Sequence, residues 1–188
     1  MVNDMEVQMK YPLSIIALVV LLCFTFSCQD EAKKAELDKF SARAKLQEQN
    51  KETVKRYWNG KWNERRPDIL DELQTSDVVN YGTSTKINNL KEYKQVYGVF
   101  LSAFHDTHFT IEGIIAEGDK VMTWASMSGV QKGELEGIPP TGKTINISIF
   151  TVFRVVNGKI AEEWEIYDSL GMMQQLGMEL KPMEAEKK

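Results

Sequence analysis

The chain has 188 residues, 43% of them hydrophobic, with 23 basic and 27 acidic side chains and a formal charge of −4. That describes one ordinary globular domain plus an extra segment, and the interspersed charges, with no basic stripe, argue against nucleic acid as a partner. Cys23 and Cys28 are the only cysteines and lie close together outside the folded region, which leaves the domain no disulfide framework and no thiolate metal site.

An apolar run from Tyr11 to Phe26 follows Lys10. It is shorter than the roughly twenty residues a spanning helix needs and suits the hydrophobic part of a signal peptide. The residues before Met9 are acidic for such a peptide, so Met9 is the more sensible start. Ser27–Cys28 closes the run in a form similar to the relaxed lipoprotein boxes of Bacteroidota. The expectation is a signal peptide over 1–27, with Cys28 lipidated and the protein held at the bacterial cell envelope, facing the periplasm or the outside. An uncleaved signal anchor is the alternative. Residues 28–49 are almost wholly polar, with high helix propensity and too thin an apolar stripe for a core, and read as a tether.

The domain begins near Asn50. A helix is expected from about Lys51 to Trp62, weakened in its last turn by Gly60, with Val54, Trp58 and Trp62 recurring at i, i+4 and i+8. Such a stripe is core, and Trp58 and Trp62 are also candidates to touch a ligand. Pro67 opens a second helix, PDILDELQ, and Val78 to Gly82 reads as a short strand. A third, heavily buried helix is expected between Asn89 and Phe104. Strands then follow at His108 to Ala116, at Val121 to Gly129 and over TINISIFTVFRVV, the last closed by the hairpin signal Asn157–Gly158. Between the second and third of these lies the loop QKGELEGIPPTGK.

The final strand and a short amphipathic helix occupy Lys159 to Gly177. Counting by parity puts Ile160, Glu162, Trp164, Ile166 and Asp168 on one face, with Ala161, Glu163, Glu165 and Tyr167 on the other. If the first face lines a concavity, Asp168 sits at its end and Trp164 joins the candidate ligand contacts. An Asp before Ser-Leu-Gly-Met also suits a helix cap, and both readings stand. Glu162 shares the parity of Asp168 but lies some 20 Å along the strand, too far to pair with it. The order of elements is α+β: helices packed on one face of a strongly curved antiparallel sheet. Two histidines and scattered acids give no metal-ligand spacing, and phosphate-loop and dinucleotide signatures are absent.

From about Asn50 to Gly177 the chain resembles the SnoaL-like polyketide cyclase or ester cyclase family of the nuclear transport factor 2-like superfamily. The phrases that carry the resemblance are NKETVKRYWNGKWNERRPDILDEL, HFTIEGIIAEGDKVMTWASMSG, GELEGIPPTGKTI and FRVVNGKIAEEWEIYDSLGMMQQLG. The resemblance implies a SnoaL-like domain over 50–178, with a charged tail over 179–188. It implies a cone-like curved sheet and N-terminal helices around an apolar pocket, often in homodimers, and acid/base chemistry without metal or cofactor. It also places a catalytic aspartate at Asp168 and a histidine at His108, with Trp124 and Phe150 as pocket walls and Arg154 near further polar groups. A carboxylate in such a pocket has its pKa raised toward the range a general acid or base needs. The expected function is therefore an enzyme acting on a small hydrophobic carbonyl compound, with cyclase, isomerase and hydrolase-like activities all open. The alternatives are a lipid-anchored binding protein for a small apolar ligand and a non-catalytic homodimeric scaffold.

Overall fold

A computed structural model of the chain describes residues 12–82, 86–179 and 181, with side chains for residue 31 and from 33 onward within those ranges. The expectations for Met9, Lys10 and lipidation at Cys28, and nearly all of the charged tail, lie outside what is described. Two compact units meet between Lys45 and Leu46. In the first, residues 33–45 are helical and exposed, as a sequence rich in Ala, Lys and Glu without an apolar stripe dictates. Among the described residues no helix is long and apolar enough to cross a membrane.

The second unit begins with the last turns of α1 (Pro12–Trp58) and a π-helical turn (Asn59–Asn63), then α2 (Ile69–Leu73). The strands and helices that follow are β1 (Gln74–Tyr81), β2 (Lys86–Ile87), α3 (Leu90–Ala103), β3 (Phe104–Glu117), β4 (Lys120–Gln131), β5 (Thr144–Val156), β6 (Lys159–Tyr167) and α4 (Ser169–Gln175). The sequence expects one helix through Trp62, whereas the α-helix stops at Trp58 and widens. A Cβ on Gly60 would lie 2.7 Å from the Cγ1 of Ile69, so this glycine lets the widened turn press against α2. α3 starts at a reciprocal cap: Asn89 Oδ1 accepts from the Glu92 amide at 2.9 Å, and Glu92 Oε1 accepts from Asn89 Nδ2 at 2.8 Å.

The six strands form one curved, unclosed sheet in the order β2-β1-β6-β5-β4-β3. The expected meander from β3 to β6 is antiparallel throughout, but β6 then meets β1 in parallel, so the sheet is mixed. The crossing through α3 carries the chain from one edge of the sheet to the other. Asn157 and Gly158 turn the β5–β6 hairpin with φ of 51° and 76°, the paired positive values such a two-residue turn requires.

Burial alternates along β4 and β5, so that Val121, Thr123, Ala125 and Met127 share the inner face with Ile145, Ile147, Ile149, Thr151 and Phe153. Trp58 is buried in the core, stacked on Phe109 at 4.4 Å with Phe153 edge-on at 5.5 Å. The opposite face of the sheet carries Trp124, Phe150, Arg154, Glu162, Trp164 and Ile166.

Candidate functional site

The widened turn after α1 sets the site. Tyr57 and Trp58 close the α-helix, and Lys61 and Trp62 follow in the turn; all four are buried. The Glu64 amide donates to the Asn59 carbonyl at 2.9 Å, the five-residue spacing of a π-turn, a geometry frequent where helices carry functional groups. The hydroxyl of Tyr97 donates to the carbonyl of Lys61 and pins the turn to α3.

Lys61 is only 4% exposed. Its Nζ donates to the hydroxyls of Tyr93 at 2.7 Å and Tyr57 at 3.2 Å, and lies within 5.8 Å of the centroids of five aromatic rings. The Tyr93 hydroxyl in turn donates to Glu163 Oε2 at 2.9 Å. Glu163 is fully buried and takes two more hydrogen bonds of 2.9 Å, from Asn80 Nδ2 and Gln74 Nε2. Three donors around one carboxyl group form the surroundings of a buried carboxylate, and the lysine sits one phenol away as its counter-charge. Burial, with the charge of Glu163, pushes both phenols well above the usual tyrosine pKa, so they stay protonated and keep donating.

This network forms part of the wall of a cavity of about 230 Å³ between α3 and the inner face of the sheet. Phe100, Phe104, Met127, Ile145, Ile147 and Ile149 make most of its apolar lining, and Lys61, Trp62, Asn80, Tyr93 and Glu165 bring polar groups to it. The indole Nε1 of Trp62 is buried and has no hydrogen-bond partner among the described residues. Desolvation raises the pKa of Glu165, an effect that Lys61 partly offsets and Glu163 reinforces. Desolvation lowers that of Lys61, with Glu165 and then Glu163 pulling it back up. Each feels the other's charge, yet no ion pair joins them.

The loop between β4 and β5 brings Glu136 to the same cavity. Gln131 secures the loop from below: Nε2 donates to the carbonyls of Ile138 and Pro139 at 3.3 Å, and Oε1 accepts from the Thr141 amide and hydroxyl. The GIPPTGK phrase is thus a shaped wall built on one buried amide.

Asp168 lies outside the cavity. It is exposed, and its Oδ1 accepts from the Gly171 amide at 2.8 Å as the N-cap of α4. Replacing it with alanine is expected to cost about 0.5–2 kcal/mol, as cap removal does, and to leave binding in the cavity unchanged; thermal unfolding and ligand titration together check this. His108 is exposed on β3, with β4 and β5 between it and β6, so the fold does not bring it to Asp168. Of the aromatic candidates, Trp62 lines the cavity, whereas Trp58 packs deeper in the core. Trp124, Phe150 and Trp164 are on the outer face, where Trp164 stacks on Tyr81 at 5.2 Å. Arg154 is also there, paired with Glu162 at 2.5 Å.

The reason is a register shift. Arg154 pairs with Glu162 but Val155 pairs with Ile160, so Ala161 is an extra residue in β6. Ile160 faces the core and, past the bulge, Glu163, Glu165 and Tyr167 face it too; simple parity had them outward. Lys61 and Glu165 were not singled out from sequence. Two signals pointed to them: a lysine enclosed by aromatics in YWNGKW, and three carboxylates in EEWE within a core strand. Among the described residues no group of three or more His, Cys, Asp or Glu is placed to hold a metal ion.

No curated protein is similar enough in sequence to match. Among solved structures, a candidate SnoaL-like polyketide cyclase from Jannaschia sp. CCS1 superposes with a TM-score of 0.65 at 24% identity, over 69% of this chain and 92% of that one. IdmH of Streptomyces antibioticus, a candidate polyketide cyclase, gives 0.61 at 26% identity over 69% and 99% of the two chains. An epoxide hydrolase of the LEH-like type from M. tuberculosis gives 0.57 at 17% over 70% and 91%. The model of the SnoaL-like polyketide cyclase family matches residues 52–176, which hold the turn, the sheet and the cavity just described, and the chain belongs to that family.

Proposed function

We propose that this protein is a small-molecule enzyme that carries out acid/base chemistry on a small hydrophobic carbonyl compound in the cavity, with Glu165 moving the proton. The observation that carries the reading is one carboxyl group of raised pKa on an otherwise mainly apolar wall, in the same cavity that Lys61 lines. A base of that kind removes a proton next to a carbonyl most effectively when donors stand ready for the oxygen that gains charge. The Lys61 ammonium, on a residue of the same lining, is such a donor. At about 230 Å³ the cavity falls below the roughly 300–1,000 Å³ of pockets for drug-sized ligands, which favours a compound of one or two rings over a multi-ring polyketide.

The test is exchange of the α-protons of small aryl ketones in deuterated water. Exchange that saturates with ketone and disappears in Glu165→Gln supports the enzyme. Saturable binding with no exchange in either protein supports the second reading, a binding protein for an apolar ligand that uses the same cavity. A chain that binds nothing in the cavity supports a scaffold.

The proposal includes the envelope location: a fatty chain on Cys28 would keep the cavity near a membrane surface, and Cys28→Ala should then move the protein from the membrane to the soluble fraction. It also includes a homodimer. Trp124 is registered against Phe150 and Phe150 against Ile166, so three exposed apolar side chains form a band across β4, β5 and β6, and sedimentation measures whether copies pair.

A further inference from the structure

We propose that Lys61 is the nucleophile of this cavity: its amine attacks the carbonyl carbon of an aldehyde or ketone and holds the compound as an iminium. The inference rests on the carbonyl reading above and narrows it. A lysine buried only to neutralise a carboxylate would contact that carboxylate. Lys61 contacts neither: the Tyr93 hydroxyl stands between it and Glu163, and it makes no ion pair with Glu165 although both line the cavity. Two of its three ammonium hydrogens go to Tyr93 and Tyr57. One position on the nitrogen is left for whatever the cavity holds.

The groups around it suit each stage. A solvent water in the cavity passes a proton from the ammonium to the Glu165 carboxylate, and the freed lone pair forms the C–N bond while the carbonyl π electrons move to oxygen. The alkoxide takes a proton from the nitrogen, and protonated Glu165 returns its own proton to the resulting hydroxyl, which leaves as water. An ammonium and a carbonyl have become an iminium and water, with charge conserved. The product cation occupies the place of the ammonium, so the five rings and the Tyr93-linked Glu163 stabilise it in the same way. Desolvation by the same surroundings eases deprotonation of Lys61; the titratable groups facing it are Tyr57, Tyr93, Tyr97, Glu163 and Glu165.

An iminium acidifies the adjacent C–H far more than a hydrogen bond to a ketone does. The iminium thus supplies the electrophilic activation, and Glu165 can take that proton and leave an enamine. The substrate class is accordingly aldehydes and ketones with an α-hydrogen. Esters are excluded, because attack on them would end in an inert amide.

The probe is benzaldehyde with cyanoborohydride at neutral pH, applied to the full chain, with the modified lysines mapped by peptide mass spectrometry. Lys61 should carry the benzyl group about tenfold or more faster than exposed Lys91 and Lys132, as a more readily freed amine predicts. Glu165→Gln should slow labelling at Lys61 but not at the surface. Tryptophan fluorescence follows occupancy of the cavity in the same samples. Occupancy with Lys61 labelled no faster than the surface lysines overturns the nucleophile while leaving the carbonyl reading standing. No occupancy and no preferential labelling overturns both. The mapping uses the wild-type chain, so it does not depend on a lysine variant folding.

Discussion

Replacing Glu163 with alanine is expected to destabilise the domain by about 3–5 kcal/mol, the cost of leaving a buried charge and three buried donors uncompensated. Against a typical total stability of about 5–15 kcal/mol, that is enough to leave much of the protein unfolded at moderate temperature. The substitution deletes the acceptor of three 2.9 Å hydrogen bonds at once. Gln74, Asn80 and Tyr93 are left with donors facing a void, and Lys61 keeps its charge with the Glu163 counter-charge gone. Glu163→Gln should cost less, because the shape and one acceptor oxygen survive. Combining Glu163→Ala with Lys61→Met should cost less than the sum of the two single changes, since the stranded charge is removed together with its partner. Denaturant unfolding of the four proteins measures the coupling. Additive costs would show that the lysine and the glutamate do not act as one unit.

Glu165→Gln is expected to lower turnover of an enolisable ketone or aldehyde by about 10²–10⁴-fold, the usual worth of a positioned acid or base. The same change should raise stability at neutral pH. Below the ordinary carboxylate pKa of 4.5 the side chain is protonated in the folded and unfolded chains alike, and it costs nothing. As pH rises toward the higher folded-state value, the unfolded chain releases its proton first and is favoured, so the wild type loses stability that the glutamine variant retains. The gain in thermal midpoint should therefore be larger at pH 7 than at pH 4. A variant less active but equally stable at both values would mean that Glu165 is not held out of water. One that is more stable but fully active would remove it from the chemistry.

The two glutamates of β6 thus have opposite duties on one strand. Glu163 is satisfied on every side and serves the fold, whereas Glu165 has, among the described residues, only a 3.5 Å contact from the Thr151 hydroxyl and lines the cavity. Residues that a structure leaves incompletely satisfied in a cavity are those available to a ligand.

Periodicity was sufficient for the framework. The helix α3, the strands β4 and β5 and the Asn157–Gly158 turn each follow from local chemistry and lie where the sequence puts them, but α3 is less buried than expected: Tyr93 and Tyr97 are covered, whereas Val96 is 42% exposed. The parallel pairing of β1 with β6 was not legible, since it depends on how far α3 carries the chain across the sheet. Nor was the site. One extra residue at Ala161 reverses the face of everything after it, which turned Glu163 and Glu165 outward on paper and Trp164 and Ile166 inward. Lys61 is not legible for a different reason: hydropathy counts a lysine as surface, and only the tertiary arrangement of Tyr57, Tyr93 and Tyr97 around it makes burial tolerable. Asp168 attracted attention through resemblance and position, yet the same local pattern encodes the cap it forms.

The most direct test of the account is a crystal structure of the protein soaked with acetophenone, a one-ring ketone of the size the cavity admits. The ring should lie against Phe100, Ile147 and Ile149, with the carbonyl carbon toward Lys61 and the methyl group within reach of Glu165. Acetophenone bound instead beside Asp168 or His108, with the cavity between α3 and the sheet left empty, would contradict it.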